Sequence, residues 1–76
     1  MKTTPYFDRR RKDRAYVRDE WLTEAWEKPF YVEMQPDGRK RHYLYIPEHH
    51  KYLRVVFEGE MVHNAFFDSA FTRKRH

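Results

Sequence analysis

FYVEMQPDGRKRHYLYI, residues 30–46, reads as a β-hairpin. Phe30, Val32 and Met34 alternate with Tyr31 and Glu33, the period-two signature of a strand. Pro36-Asp37-Gly38 interrupts the pattern, and residues 40–46 resume it. Asp37-Gly38 predicts a two-residue type I′ turn, whose two central residues both need positive φ. That turn pairs Pro36 with Arg39, Met34 with Arg41, Val32 with Tyr43 and Phe30 with Tyr45.

Toward the C-terminus the pattern continues as a meander. PEHHK (47–51) is a polar loop opened by Pro47, and YLRVVFE (52–58) is a third strand. Gly59-Glu60 predicts a type II′ turn into a fourth strand, MVHNAFF (61–67). This turn pairs Glu58 with Met61, Val56 with His63 and Arg54 with Ala65. A five-residue loop at 47–51 sets Ile46 opposite Tyr52 and Leu44 opposite Arg54, unless a bulge shifts the ladder.

Toward the N-terminus, residues 17–28 carry Val17, Trp21 and Ala25 at i, i+4, i+8, with Leu22 and Trp26 beside them. These form one apolar helical stripe. Pro29 stops the helix because it pushes the preceding residue out of the α region. Residues 1–14 hold RRRKDR at 9–14 without apolar periodicity and are read as a basic flexible arm. Residues 72–76, TRKRH, are read as a basic tail. The expectation is one α+β domain over 15–71: a main N-terminal helix packed on a four-stranded antiparallel sheet.

These registers sort the side chains. One face collects Phe30, Val32, Met34, Tyr43, Tyr45, Leu53, Val55, Phe57, Val62 and Phe66, and should lie under the helix. Asn64 falls on the same face and should be partly buried. The opposite, open face collects Tyr31, Glu33, Lys40, His42, Leu44, Ile46, Tyr52, Arg54, Val56, His63 and Ala65. It is half apolar and half ionisable, a surface suited to a partner.

The 76 residues contain no cysteine, which excludes a disulfide framework and thiolate chemistry and fits a cytoplasmic protein. No apolar run is long enough to span a bilayer, and the basic N-terminus has no apolar segment behind it. A net charge of +4 admits a polyanionic partner such as RNA.

On the open face, His42, His63, Arg54 and Glu33 are the candidate catalytic set. Histidine titrates near neutral pH for general acid–base work, and Arg54 suits a phosphate. Together they suit metal-free cleavage of RNA by its own 2′-hydroxyl. The competing reading is an ordinary charged sheet face. Arg9, Arg10, Arg11, Lys12, Arg39 and Arg41 are candidate phosphate contacts, or charges that guard the hairpin edge. His49-His50 are adjacent and point apart, so no metal site and no cofactor is expected. Asp68 with Ser69 reads as the cap of a short C-terminal turn.

Over residues 17–71 the chain resembles a family of small bacterial and cyanobacterial proteins of uncharacterised function. The resemblance rests on Glu20-Trp21, Val32-Glu33, Gln35, Asp37-Gly38-Arg39 and Arg41. It continues through Tyr52-Leu53-Arg54-Val55-Val56 and Val62-His63-Asn64-Ala65-Phe66, with Asp68. By topology and length it is more distantly similar to the RelE/ParE toxin superfamily and its BrnT-like branch, though one main helix is legible where that superfamily has two. That likeness implies a ribonuclease, with Arg41, Arg54, His63 and Tyr31 as counterparts by face, and an antitoxin-like partner. The alternative is a non-catalytic module that binds a protein or forms a homodimer through its half-apolar face.

Overall fold

The computed structural model describes residues 1–71; the basic tail lies outside the described residues. The order is helix α1 (Pro5–Arg10), a 3-10 segment (Arg11–Arg14), helix α2 (Asp19–Glu27), and strands β1 (Tyr31–Met34), β2 (Lys40–Ile46), β3 (Lys51–Glu58) and β4 (Met61–Phe67). The strands form one antiparallel meander in the order β1-β2-β3-β4. The α+β class and the four-stranded sheet are as the sequence predicts. No helix among the described residues is long and apolar enough to cross a membrane.

The segment read as a flexible arm is folded. Thr4 caps α1 by accepting the Phe7 N–H on its Oγ1, and Pro5 occupies the first turn, where its missing donor is not needed. Phe7 is fully buried in the main core. Residues 2–4 run beside β4: Val62 N–H donates to Lys2 O and Thr4 N–H donates to Val62 O, both at 2.9 Å. The outer edge of β4 is therefore engaged at Val62 by the chain's own N-terminus.

Helix α2 begins two residues later than its apolar stripe suggests and ends before Pro29. Trp21, Leu22 and Ala25 are buried against the sheet. Val17 is buried just ahead of the helix.

The hairpin register differs by one residue from the sequence reading. Tyr31 pairs with Tyr43, Val32 with His42, Glu33 with Arg41 and Met34 with Lys40. The turn is a three-residue loop, closed by Gln35 N–H donating to Arg39 O at 2.7 Å. Only Gly38 in it has positive φ, at 92°, so the type I′ turn is not formed. Proline at the first loop position presets the negative φ of a type I turn, and glycine then takes the left-handed position. Asp37 locks the loop by accepting the Arg39 N–H at 3.0 Å.

The second connection shifts the register again. Pro47–His49 form a 3-10 turn and His50 takes a left-handed conformation, φ 53°, so the loop has four residues and Ile46 pairs with Lys51. Leu44 then faces Leu53 rather than Arg54. The Gly59-Glu60 turn pairs Glu58 with Met61, as expected, but a bulge follows. Beyond it Val56 pairs with Asn64, leaving His63 as the extra residue.

A one-residue slip turns every side chain of a strand to the other face. The core under the helices accordingly holds Leu44, Ile46, Leu53, Val55, Phe57, Val62 and Ala65. Of these, Leu53, Val55, Phe57 and Val62 lie as the sequence reading places them; Leu44, Ile46 and Ala65 do not. Tyr43 and Tyr45 lie on the second face, in a smaller aromatic cluster with Tyr52 and Phe71. Val32 and Met34, expected in the core, are 43% and 61% exposed.

Candidate functional site

The sheet separates the four residues proposed for catalysis. His42 lies on the helix side and is buried, not on an open face. Its Nδ1–H donates to the Ala25 carbonyl oxygen at 2.8 Å, and its ring stacks on Trp26 with centroids 5.6 Å apart. Burial pushes the His42 pKa down, against the pull of the Ala25 carbonyl, and Lys40's charge adds to the depression. Its Nε2 is buried without a hydrogen-bond partner among the described residues. The ring is packed beneath Trp26 and tied to α2.

Glu33 and Arg54 lie on the second face, each committed to an ion pair. Arg41 Nη1 contacts Glu33 at 3.1 Å. Arg54 Nε and Nη2 both reach Asp68 Oδ2, at 3.0 and 2.5 Å. Burial raises the Asp68 carboxyl, but the hydrogen bonds and charge of Arg54, with the N–H groups of Ala70 and Phe71, overcome it and hold the pKa below the usual value. The Arg54 guanidinium also lies over the rings of Phe66 and Tyr43, at 5.1 and 5.9 Å. These groups line a shallow pocket of ≈ 120 Å³ with Phe71. Asp68 caps the C-terminal turn, as expected, through Ala70 N–H, and doubles as the counter-ion of Arg54.

His63 sits at the β4 bulge against α1. Its ring stacks on Tyr6 at 4.8 Å, and its Nδ1 lies 3.2 Å from Thr4 Oγ1 and 3.8 Å from Glu58 Oε1. A relay would need hydroxyl and carboxylate on opposite ring nitrogens. Here both approach the same one, and the Thr4 hydroxyl already caps α1. Asn64, expected on the core face, pairs with Val56 on the second face and accepts the Ala65 N–H at 2.9 Å.

The six candidate phosphate contacts are partly neutralised. Arg39 pairs with Asp37 at 2.8 Å and Glu58 at 2.9 Å, Arg41 with Glu33, Arg11 with Asp19, and Arg10 with Asp13 at 3.7 Å. Arg9 and Lys12 are exposed on the N-terminal segment, with no ion pair among the described residues. His49 packs against Trp21 and Phe67, and among the described residues no cluster of His, Asp or Glu gathers as a metal site.

One surface feature escaped the sequence reading. Strand β1 is a sheet edge that α1 and α2 leave uncovered. Gln35 N–H points at β2, so antiparallel alternation turns the N–H and C=O of Val32 and Met34 away from the sheet. The same two residues expose their apolar side chains on the helix side, beside Trp26, which is 38% exposed. Phe30 and Tyr31 are half exposed along the same edge. Pro36 ahead of Asp37-Gly38 selects the longer loop and turns β2 over, whereas Val32 and Met34 keep the helix-side face and are exposed at its edge.

Comparison with protein-family models, with curated proteins and with solved structures finds no match to this chain.

Proposed function

We propose that this protein is a non-catalytic interaction module that docks an extended protein segment along the edge of β1. The observation that carries this reading is the asymmetry of the sheet. The β4 edge is engaged at Val62 by residues 2–4, whereas the β1 edge presents outward backbone groups and the exposed side chains of Val32 and Met34. An uncovered edge is a template for strand addition: main-chain hydrogen bonds give affinity, and the alternating side chains give selectivity. The separation of His42 and His63 from the pocket that Glu33 and Arg54 share supports the same reading, since general acid–base chemistry needs its groups within reach of one substrate.

The test places a photo-crosslinking side chain at Met34 and, as a control, at Glu60 in the far turn, in cells expressing the protein. Docking at β1 yields a discrete, nuclease-resistant adduct from Met34 only, and induction leaves growth and RNA intact. Equal adducts from both positions, or growth arrest relieved by Arg54→Ala or His63→Ala, overturn the reading.

A second reading is an RNA-binding relative of the RelE/BrnT-like toxins. Two helices ahead of a four-stranded meander and the exposed Arg9, Arg10 and Lys12 support it. It predicts salt-sensitive RNA binding that Arg9→Ala with Lys12→Ala weakens while Arg39→Ala does not.

A further inference from the structure

We propose that Arg14 and Phe66 form a binding site for a carboxylate, on the second face of the sheet at its β4 side. The site is separate from the β1 edge and goes beyond the docking reading. Two guanidiniums lie over the Phe66 ring, Arg54 at 5.1 Å and Arg14 at 5.7 Å from its centroid. Arg54 is completed by Asp68, which accepts from both its Nε and its Nη2. Arg14 has no such counter-ion. All 12 side-chain carboxylates of the chain belong to described residues, and none makes an ion pair with Arg14. Its neighbour Asp13 pairs with Arg10. Residues 72–76, TRKRH, add cations and no side-chain carboxylate, so they leave that charge unbalanced.

The backbone of Arg14 is fixed in place. It closes the 3-10 segment, its carbonyl accepts the Val17 N–H at 2.9 Å, and Val17 is buried. The side chain is partly buried, and its Nε is shielded from water with no hydrogen-bond partner among the described residues. A desolvated charge with an unfilled donor is stabilised by an acceptor, and an ionised acceptor makes the stronger bond. Arg14, Arg54 and Asp68 together leave one net positive charge around Phe66, which a single carboxylate balances. A phosphate monoester, at about −1.5 to −2, exceeds it. Asn64 lies on the same face, two residues before Phe66. Its Oδ1 accepts the Ala65 N–H, which leaves its amide hydrogens as further donors. The Arg54–Asp68 pair shows the completed arrangement, and Arg14 repeats it on the same ring without the acid.

The test is an NMR titration of the full chain at constant ionic strength, with chloride as the balancing ion. Sodium acetate is the first probe and a capped glycine–glutamate–glycine tripeptide the second. The Arg14 Nε–H and the Phe66 ring protons should shift together and saturate, at a concentration at least ~10-fold below any effect at the exposed Arg9. Arg14→Gln, with an unchanged circular dichroism spectrum, should abolish the Phe66 shift. Arg14→Lys keeps the charge but not the fork and should weaken it. Equal responses at Arg14 and Arg9, or a Phe66 shift that survives in Arg14→Gln, overturn the proposal. So does tighter binding of dimethyl phosphate than of acetate, which reassigns the site to phosphate esters. Saturation by either carboxylate probe supports it: equal affinities assign a free small carboxylate, and a tighter tripeptide assigns an acidic side chain of a partner. Where Arg14→Gln does not fold, the comparison of Arg14 with Arg9 in the unaltered protein decides.

Discussion

His42 donates its Nδ1 proton to the Ala25 carbonyl oxygen across 2.8 Å, tying the middle of the sheet to helix α2 with an ionisable ring. The ring is closed in by Trp26 and by Phe57, whose centroid is 4.7 Å away. A charge introduced there is desolvated, which is why the folded protein holds His42 below its ordinary pKa of 6.5.

The fold is therefore expected to weaken in mild acid. With the folded pKa depressed, the unfolded chain binds the proton first, so stability is complete above pH ~6.5 and falls as pH drops through and below that value. Replacing the ring by His42→Phe keeps the stacking and removes the titration. Thermal melts from about pH 8 to about pH 5 should show a flatter stability profile for His42→Phe than for the unaltered protein. Equal slopes would count against this role.

The Arg54–Asp68 pair holds the C-terminal turn to the second face. Its side chains are 23% and 9% exposed. Asp68→Ala leaves a part-buried guanidinium without its carboxylate and should lower stability by ~1–3 kcal/mol in denaturant titration. Because Asp68 is held below its usual pKa, its contribution is present above pH ~3.8 and is lost as pH falls through the lower folded value. Asp68→Ala should remove that part of the acid sensitivity.

The Pro36-Asp37-Gly38 loop sets the register of β1. A Cβ at Gly38 would meet no atom within 4 Å, so the penalty of Gly38→Ala is backbone strain at φ +92°. It should amount to ~1 kcal/mol, a fall in Tm of roughly 4–8 °C for a domain this size. Gly38→Asn, better suited to left-handed φ, should lose less.

Phe7 anchors α1, and α1 follows directly on the segment of residues 2–4 that bonds β4 at Val62. Phe7→Ala should cost about 3–5 kcal/mol, a large share of a small domain's stability. Where the variant remains folded, hydrogen exchange should speed most at the Val62 amide, whose partner is Lys2 O.

Much of this architecture follows from local sequence. Strands 40–46 and 61–67, the end of α2 before Pro29 and the Glu58–Met61 pairing can all be read from periodicity and from residues with restricted φ. The folding of α1 was legible too, in Thr4-Pro5 ahead of Phe7, but the surrounding arginines mask a single buried aromatic among polar neighbours.

What only the tertiary structure decided is which face each side chain occupies. Side chains alternate with period two, so an error of one residue in a loop inverts a whole strand. Pro36 lengthens the first loop, His50 in a left-handed conformation shortens the second, and the bulge at His63 shifts the third pairing. Those changes carry His42 from an exposed face into the core; Val32 and Met34 keep the helix-side face, but at the edge strand they are exposed. The sequence by itself determined the strands and their order. The connections and the bulge, whose geometry depends on a few backbone angles and on packing between distant segments, determined the surface that the protein presents.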